Sequence, residues 1–232
     1  SNELCSEKYG VSREDQDRYA AESYRRTMES ITTGRFQKEI VPVEIPLKKG
    51  APKRFDQDEC CQETPYEILA KMKPAFKANG VGTAGNASII SDGASAVVIM
   101  SREKAIELGC PILATIGAQA SFGIDMKYVL VAPIWAVPKC CNKQGLSLDD
   151  IDLFEINEAF SGSTVAILNE LKLDSAKVNV NGGSVALGHP IGASGCRLLV
   201  TLLHEMIHRN VKTGLASLCL GGGEAVAMIV TR

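Results

Sequence analysis

The sequence predicts a layered α/β domain preceded by a more irregular, partly helical region. From Asp92 onward, apolar runs of strand length alternate with longer runs that have helical periodicity. Hydrophobic residues make up 45% of the 232-residue chain, which suffices for one sizeable core or two small ones. Because alternating strands and helices favour a sheet covered by helices, we place the α/β domain at residues 112–232.

The first part of the chain mixes helical and extended segments. Ser12 is a suitable cap for a helix that Gly34 would end. Residues 40–46, IVPVEIP, have the prolines of an edge strand, and residues 48–65 are charged and rich in turn formers. Residues 67–76, EILAKMKPAF, predict a short helix that a glycine loop ends.

The second part of the chain alternates between the two periodicities. The predicted strands are 95–100 (SAVVIM), 112–118 (ILATIGA), 152–156 (DLFEI), 177–183 (KVNVNGG) and two strands within 214–230 around a glycine turn. The predicted helices are 101–109, one after Pro133 that Pro138 should interrupt, 160–173 and 193–209.

Composition favours a cytoplasmic protein without nucleic-acid or membrane partners. The net charge of −2 and the pI near 6.0 provide no basic field for an anionic polymer or surface. No apolar run reaches the roughly 18 residues of a membrane span. The start, SNELCSEKYG, has neither a signal peptide nor an initiator Met, so we expect an upstream segment.

Cysteine usage indicates reduced thiols. Four of the eight cysteines form two adjacent pairs, Cys60/Cys61 and Cys140/Cys141, and no regular disulfide spacing is present. The absence of any CxxC pair also argues against a cysteine zinc site, and we expect no bound metal.

Three predicted strand-to-loop junctions carry polar or reactive groups. They are INEAF (156–160), GHPIG (188–192) and CLGGG (219–223). Loops at strand ends converge in α/β sheets, so Asn157, His189 and Cys219 could meet there. A thiol beside an imidazole can serve acyl or proton transfer. Taken singly, each feature also has an ordinary structural interpretation. A glycine-rich loop is commonly a turn, Asn157 at a strand end can be a helix cap, and a buried Cys219 can be a small hydrophobic residue.

The wording of these motifs is more specific than their composition. NEAF, GHPIGASG and CLGGG, in that order, resemble the thiolases, the acetyl-CoA C-acetyltransferase family. EKYGVSREDQDRYAAESYRR, KPAF and TAGNASIISDGASAVV resemble further parts of the same family. The resemblance implies the thiolase fold, here a layered αβα half-domain plus part of a loop domain.

The resemblance also implies roles for four residues in a reversible Claisen condensation of two acetyl-CoA to acetoacetyl-CoA and CoA. His189 would deprotonate the nucleophilic cysteine and, with a water on Asn157, stabilise the thioester oxygen of the second substrate. Cys219 would be the acid and base at the α-carbon, and the Gly221 N–H would contribute to a second oxyanion hole. Coenzyme A thioesters are then substrates, with no bound cofactor. The implied coenzyme A contacts are Met72, Ala75, Phe76, Ala84, Ser88 and Phe160.

One family element has no counterpart in the sequence. The nucleophile of the family is a cysteine in a CxSG-type loop, and none of the eight cysteines lies in such a loop. We therefore expect a C-terminal portion of a thiolase that lacks the nucleophile-bearing N-terminal half, whether that half is upstream or a separate chain. Such a chain would be inactive alone, would expose an apolar face, and would belong to a homo-oligomeric complex. We expect three divisions of the chain. Residues 1–84 would be the end of a coenzyme A loop domain, and residues 85–111 would be a final strand and helix of the N-terminal half-domain. Residues 112–232 would be the C-terminal half-domain.

Other interpretations remain open. The missing nucleophile makes a non-catalytic acyl-CoA-binding or assembly subunit the main alternative, although the retained Cys219 and His189 weigh against it. A ketoacyl synthase would use a second histidine in place of Cys219. Residues 204–208, HEMIH, match the HExxH pattern of zinc peptidases. Helical geometry places both histidines on the face of Arg197 and Thr201, which we expect to face solvent. Bulky residues 129–131, in YVLVAPIWAV, could also reshape the acyl pocket.

Overall fold

A mixed four-stranded sheet organises the second half of the chain. The computed structural model describes all residues from Ser1 to Arg232. Its helices are α1 (Asn2–Tyr9), α2 (Arg13–Thr32), α3 (Tyr66–Leu69), α4 (Arg102–Glu107), α5 (Pro133–Gln144), α6 (Ser161–Leu171), α7 (Ser184–Leu187) and α8 (Ser194–Arg209). Its strands are β1 (Val43–Ile45), β2 (Lys53–Phe55), β3 (Thr115–Gly123), β4 (Leu153–Ile156), β5 (Thr213–Leu220) and β6 (Glu224–Thr231).

The strand order of the large sheet is β3-β6-β5-β4. β4 and β5 are parallel, whereas β6 is antiparallel to both β5 and β3. The predicted pair of strands around a glycine turn is confirmed as the β5–β6 hairpin. The predicted edge strand near the prolines is confirmed as β1, which pairs only with β2.

Helices cover both faces of the large sheet, so the predicted αβα layering is confirmed. Neighbouring residues of one strand point to opposite faces, and the two buried clusters divide accordingly. Phe154 and Leu215 pack with residues of α5 and α6 on one face. Leu153 and Ala216 pack with Leu198, Leu202 and Met206 of α8 on the other face.

The helix predicted after Ser12 forms as α2 and is well capped. The Ser12 side chain accepts a hydrogen bond from the Asp15 N–H, and the Asp15 carboxylate accepts one from the Ser12 N–H. Gly34, with φ of 71°, follows the helix in the left-handed region. None of the eight helices combines the length and hydropathy that crossing a bilayer requires.

The predicted buried strand at residues 95–100 is wrong. The segment is extended but belongs to no strand, and the side chains of Val98 and Ile99 are 86% and 67% exposed. A strand needs neighbours for its N–H and C=O groups, and no strand of the chain pairs with this segment. Of the elements predicted for residues 85–111, only the helix forms, as α4.

The predicted strand at residues 177–183 is also wrong, because its backbone pairs with β4 only through an isolated bridge between Val178 and Phe154, and beyond that bridge a side chain takes the place of the backbone. The Asn179 amide donates to the Ile156 carbonyl at 2.8 Å, and its oxygen accepts from the Ile156 N–H at 2.8 Å. Asn179 itself has φ of 46°. β4 therefore gains a hydrogen-bonding neighbour at its end without a regular fifth strand.

Two helix predictions differ in extent. Residues 67–76 form only the short α3, which is followed by turns before Pro74. Pro138, expected to interrupt a helix, lies inside α5, which continues to Gln144. Pro133 starts this helix, where a missing N–H costs nothing, whereas Pro138 is its sixth residue and leaves the Ile134 carbonyl without its helical donor.

Candidate active site

The ends of the two parallel strands bring the first site residues to one edge of the sheet. Ile156 is in register with Ser217, and the Asn157 N–H donates to the Ser217 carbonyl at 2.9 Å. Cys219 lies two residues beyond Ser217, near the end of β5. The predicted convergence of Asn157 and Cys219 at this edge therefore agrees with the strand register.

His189 lies on a loop that follows α7. Gly188 has φ of 95°, and a Cβ there would collide with the Ser91 hydroxyl, so the position requires glycine. The His189 N–H donates to the Ile89 carbonyl at 2.8 Å. The loop is thus tied to the segment that continues from Ser88, one of the predicted coenzyme A contacts.

Both ring nitrogens of His189 have neighbours. Nδ1 lies 2.6 Å from Ser194 Oγ, and the Ser194 hydroxyl donates to the Pro190 carbonyl at 3.0 Å. Nε2 lies 3.4 Å from Asn157 Nδ2, while Asn157 Oδ1 accepts from the Ser184 hydroxyl at 2.6 Å. Two of the residues predicted from separate motifs, Asn157 and His189, are therefore side by side.

The environments of His189 and Cys219 keep both groups uncharged at neutral pH. Burial lowers the pKa of His189, and the positive charge of Arg197 lowers it further. Burial raises the pKa of the Cys219 thiol to about 11. The site thus contains an imidazole available as a base and a thiol that holds its proton.

Gly221 begins the turn between β5 and β6. The turn is exposed at this residue, and no heavy atom lies within 4 Å of the position that a Cβ would occupy. The space beside the Gly221 backbone is therefore open to a ligand. At the other end of the turn, Gly223 is packed so closely against Ile124 and Met126 that a side chain would not fit.

The predicted coenzyme A contacts gather around the loop before Asp92. The rings of Phe76 and Phe160 meet edge to face, with centroids 5.4 Å apart. The Ser88 N–H donates to the Ala159 carbonyl at 3.2 Å, which links the loop to the NEAF motif. Phe76 is 59% exposed, so one side of this aromatic pair is available for a ligand.

The other three predicted contacts lie on the same loop. The Ala75 N–H donates to the Gly82 carbonyl at 2.9 Å, and Met72 packs against Gly85. Ala84 is exposed between them. The loop that carries these residues continues through Ser88 to Ile89, which bonds to His189, so this loop connects the aromatic pair with the imidazole.

Glu158 of NEAF supports the site, and sequence reasoning did not identify it. Its buried carboxylate accepts hydrogen bonds from Tyr19 Oη and Ser23 Oγ, each at 2.8 Å. It also accepts from the Val185 N–H at 3.1 Å, and a Cβ at Gly183 would collide with it. Glu158 therefore fixes the start of α7 against α2, and its position within the motif was the only available signal. Ser184 and Ser194 were missed although both lie in the glycine-rich stretch.

The HExxH segment has no zinc-binding geometry. Glu205 is buried and paired with Arg209, and it accepts from Asn181 at 3.0 Å. The expected exposure of the two histidines holds for His208, whereas His204 is half-buried. Thr201 on the same face is 1% exposed and donates to Glu39 at 3.0 Å. No group of three or more His, Cys, Asp or Glu residues in the chain could hold a metal ion.

All eight cysteines are free thiols, as predicted. Cys5, Cys140 and Cys141 are buried in apolar clusters, where burial raises the pKa of each thiol. None of these thiols is hydrogen-bonded to a histidine. Among the cysteines, Cys219 is the one on β5, two residues beyond Ser217, whose carbonyl accepts from the Asn157 N–H.

Comparison with known proteins covers the whole chain. Residues 1–103 match the family described as "Thiolase, N-terminal domain", and residues 110–232 match "Thiolase, C-terminal domain". The expectation that the chain lacks the N-terminal half is therefore not borne out, because the first 103 residues belong to that domain family.

Individual relatives agree with these matches. An acetyl-CoA acetyltransferase of Pseudomonas aeruginosa is 52% identical over 99% of this chain and 59% of its own length. A probable acetyl-CoA acyltransferase of Staphylococcus aureus is 48% identical over 99% of the chain and 58% of its own length. The chain thus spans about three-fifths of the length of these curated relatives.

Solved structures show the same fold. The acetyl-CoA acetyltransferase of Bacillus anthracis superposes with a TM-score of 0.96 at 43% identity, over 99% of this chain and 58% of that protein. Human mitochondrial 3-ketoacyl-CoA thiolase in complex with CoA superposes with a TM-score of 0.92 at 38% identity, over 100% and 57% of the two chains. With both domain families matched and the fold shared, the chain belongs to the thiolase family.

Proposed function

We propose that the chain supplies the acid–base and oxyanion-stabilising residues of acetyl-CoA acetyltransferase chemistry, the reversible condensation of two acetyl-CoA to acetoacetyl-CoA and CoA. The observation that carries the proposal is the placement of Asn157 Nδ2 3.4 Å from His189 Nε2, at the sheet edge where β5 brings Cys219. The names of the P. aeruginosa and B. anthracis relatives support the same activity.

Condensation requires a carbanion from a weak carbon acid, so a base and an oxyanion site are both needed. The Asn157 amide, through a water that it holds, would stabilise the thioester oxygen on which negative charge develops, and His189 would add a hydrogen bond to this oxygen once Nε2 has taken up a proton. The thiolate form of Cys219 would remove the α-proton in condensation, and the thiol form would return a proton to the α-carbon in thiolysis. The Gly221 N–H, beside open space, would serve a second oxyanion.

Coenzyme A would bind along the path from the aromatic pair to His189. Phe76 and Phe160 would contact the pantetheine arm, and Met72, Ala75, Ala84 and Ser88 would line the loop beside it. The human mitochondrial thiolase complex contains CoA, which supports this substrate class for the fold. No metal or bound redox group is required for this chemistry.

The thiol that would accept the acyl group is not identified among the residues of this chain. The family reaction proceeds through an acyl-cysteine, and none of the eight cysteines occupies a CxSG-type loop. The comparisons give no support to inactivity of this chain alone or to a separate N-terminal chain. A cytoplasmic homo-oligomer completes the proposal.

The decisive experiment measures a partial reaction that needs only the residues described above. In D2O, Cys219 would exchange the methyl hydrogens of acetyl-CoA for deuterium, and mass spectrometry would detect the product. We expect exchange with the natural chain, loss of at least about 100-fold with Cys219→Ala or His189→Ala, and no change with Cys110→Ala, an exposed thiol.

Two other outcomes would overturn the catalytic proposal. Exchange that persists in Cys219→Ala would remove the assigned base. Tight binding of acetyl-CoA without exchange in the natural chain would favour the alternative of a non-catalytic acyl-CoA-binding subunit.

A further inference from the structure

A chain of hydrogen bonds leads from a half-buried arginine, Arg197, to the candidate catalytic pair. Arg197 Nη2 donates to Ser184 Oγ at 3.2 Å, and the Ser184 hydroxyl donates to Asn157 Oδ1 at 2.6 Å. The Asn157 amide then faces His189 Nε2 at 3.4 Å. The contacts run through four residues that come from β4, α7, α8 and the loops between them.

The direction of each hydrogen bond follows from the chemistry of Arg197. A guanidinium has five N–H donors and no acceptor, so Ser184 Oγ must accept from it. The single hydroxyl proton of Ser184 is then directed to Asn157, whose nearer atom must be the carbonyl oxygen. Consequently the Asn157 NH2 group is the one that points at His189, and it can be accommodated only if Nε2 carries no proton.

The opposite side of the imidazole requires the same protonation state. The Ser194 hydroxyl gives its proton to the Pro190 carbonyl, so its oxygen accepts from His189 Nδ1. Nδ1 is therefore protonated and Nε2 is free. The two independent chains of hydrogen bonds agree on one tautomer, in which the lone pair of Nε2 lies on the Asn157 side.

Burial allows little freedom for another arrangement. Ser184 is fully buried, Asn157 is 4% exposed, and the Arg197 side chain is 19% exposed with Nη1 3.4 Å from Glu155 Oε2. A reversed Asn157 amide would place its NH2 group against a hydroxyl that already receives a proton from Arg197. It would also place its oxygen against the lone pair of Nε2, which repels it.

Resting on the proposed function, we propose that Ser184 and Arg197 are positioning residues that fix the orientation of the Asn157 amide toward His189. Neither residue touches the reacting atoms. Their effect reaches the substrate through Asn157, whose NH2 group must face the thioester oxygen or its water for that oxygen to be stabilised.

The test compares Ser184→Ala with a matched control. Ser30 is also a buried serine whose hydroxyl donates to an asparagine Oδ1, that of Asn181, at 3.1 Å. We expect Ser184→Ala to lower kcat for deuterium exchange on the order of tenfold, the effect of one lost hydrogen bond, with KM unchanged. Ser30→Ala should keep the natural kcat.

Arg197 provides a second, independent variant. Arg197→Met should lower kcat at unchanged KM, whereas Arg197→Lys, which retains a cationic donor, should recover part of the loss. If Ser184→Ala does not fold, as judged by circular dichroism, Ser184→Cys replaces it because a thiol is a weak donor.

A spectroscopic readout separates this inference from the proposed function. The chain has only three histidines, so the imidazole nitrogens of His189 can be assigned by NMR with His189→Ala as the reference. We expect a protonated Nδ1 and an unprotonated Nε2, and a shift of the Nε2 signal in Ser184→Ala and Arg197→Met that is absent in Ser30→Ala.

The outcomes have distinct meanings. Natural chain that shows the expected His189 signals and their shifts, but no exchange, would defeat the proposed function and leave the positioning of Asn157 supported. Active Ser184→Ala and Arg197→Met variants with the natural kcat and unmoved His189 signals would overturn the positioning role. A protonated Nε2 in the natural chain would overturn it as well.

Discussion

The hydrogen-bond partners of His189 distinguish it from the other two histidines as a candidate catalytic base. The chain contains three histidines, and His204 and His208 lie on α8 without a partner arrangement of this kind. Burial lowers the pKa of both His189 and His204. Only His189 has Asn157 at Nε2 and Ser194 at Nδ1, which together make its neutral imidazole a directed base.

Asn157→Asp tests whether an amide donor is required at this residue. A carboxylate can accept from Ser184 but cannot donate to Nε2 or to a substrate oxygen. Its negative charge would also raise the pKa of His189 and favour the imidazolium. We expect deuterium exchange into acetyl-CoA to fall on the order of 100-fold. Retention of natural exchange by Asn157→Asp would contradict the oxyanion role.

The raised pKa of Cys219 predicts an unusual pH dependence. Because the thiol pKa is about 11, the thiolate fraction of the free protein increases throughout the neutral and alkaline range. We expect kcat/KM for exchange to rise by about tenfold per pH unit above neutrality, without the plateau near pH 8.5 of an ordinary thiol. A plateau below pH 9 would show that another group is the base.

At the scale of elements, the sequence was most informative where periodicity was regular. The periodicity and caps of α2, α6, α8 and the β5–β6 hairpin predicted these elements directly, and the strand-end rule then predicted where Asn157 and Cys219 would meet. The motif wording supplied the family and the roles. Neither the periodicity nor the motifs could reveal that the Asn179 side chain, rather than a neighbouring strand, bonds the backbone of Ile156, because KVNVNGG alternates as a strand does.

The strand prediction for residues 95–100 was wrong for a different physical reason. Its apolar residues have the composition of a buried strand, but burial depends on a neighbour that local sequence does not specify. Likewise, Ser184 and Ser194 look like small loop residues, and only their distances to Asn157 and His189 identify their contacts.

Asn179→Ala tests the side-chain substitution for a strand. Its amide bonds both backbone groups of Ile156 and also Glu158 at 3.1 Å, in a site that is 1% exposed. Removing these partners should lower the free energy of unfolding by about 2–4 kcal/mol, measured by urea denaturation. Asn210→Ala is the matched control, since Asn210 also has a left-handed φ, 53°, but is exposed. Equal losses in the two variants would attribute the effect to backbone conformation alone.

At the scale of the whole molecule, buried carboxyl groups govern the pH dependence of stability. Burial raises the pKa of Glu155 to about 8, with Arg197 only partly offsetting it, and raises the pKa of Glu39 to about 7. Between the unfolded value of 4.5 and these folded values, the folded chain binds more protons than the unfolded chain. Stability should therefore fall as pH rises from about 4.5 toward 8.

Glu155→Gln should flatten this decline, because it removes a group that ionises only on unfolding. Denaturation midpoints measured from pH 5 to pH 8 would show a smaller slope than for the natural chain, whereas Glu170→Gln on the exposed part of α6 should keep the natural slope. An unchanged slope in Glu155→Gln would mean that the Glu155 carboxyl is ionised in the folded state at neutral pH.

The central claim is that three sequence-distant loops form one site for a coenzyme A thioester. The most direct measurement is a crystal structure of the chain with acetyl-CoA. The account predicts pantetheine against Phe76 and Phe160, the thioester oxygen within hydrogen-bond reach of His189 or the water on Asn157, and the methyl carbon facing Cys219 Sγ. Acetyl-CoA bound elsewhere, or no acetyl-CoA at saturating concentration, would contradict it.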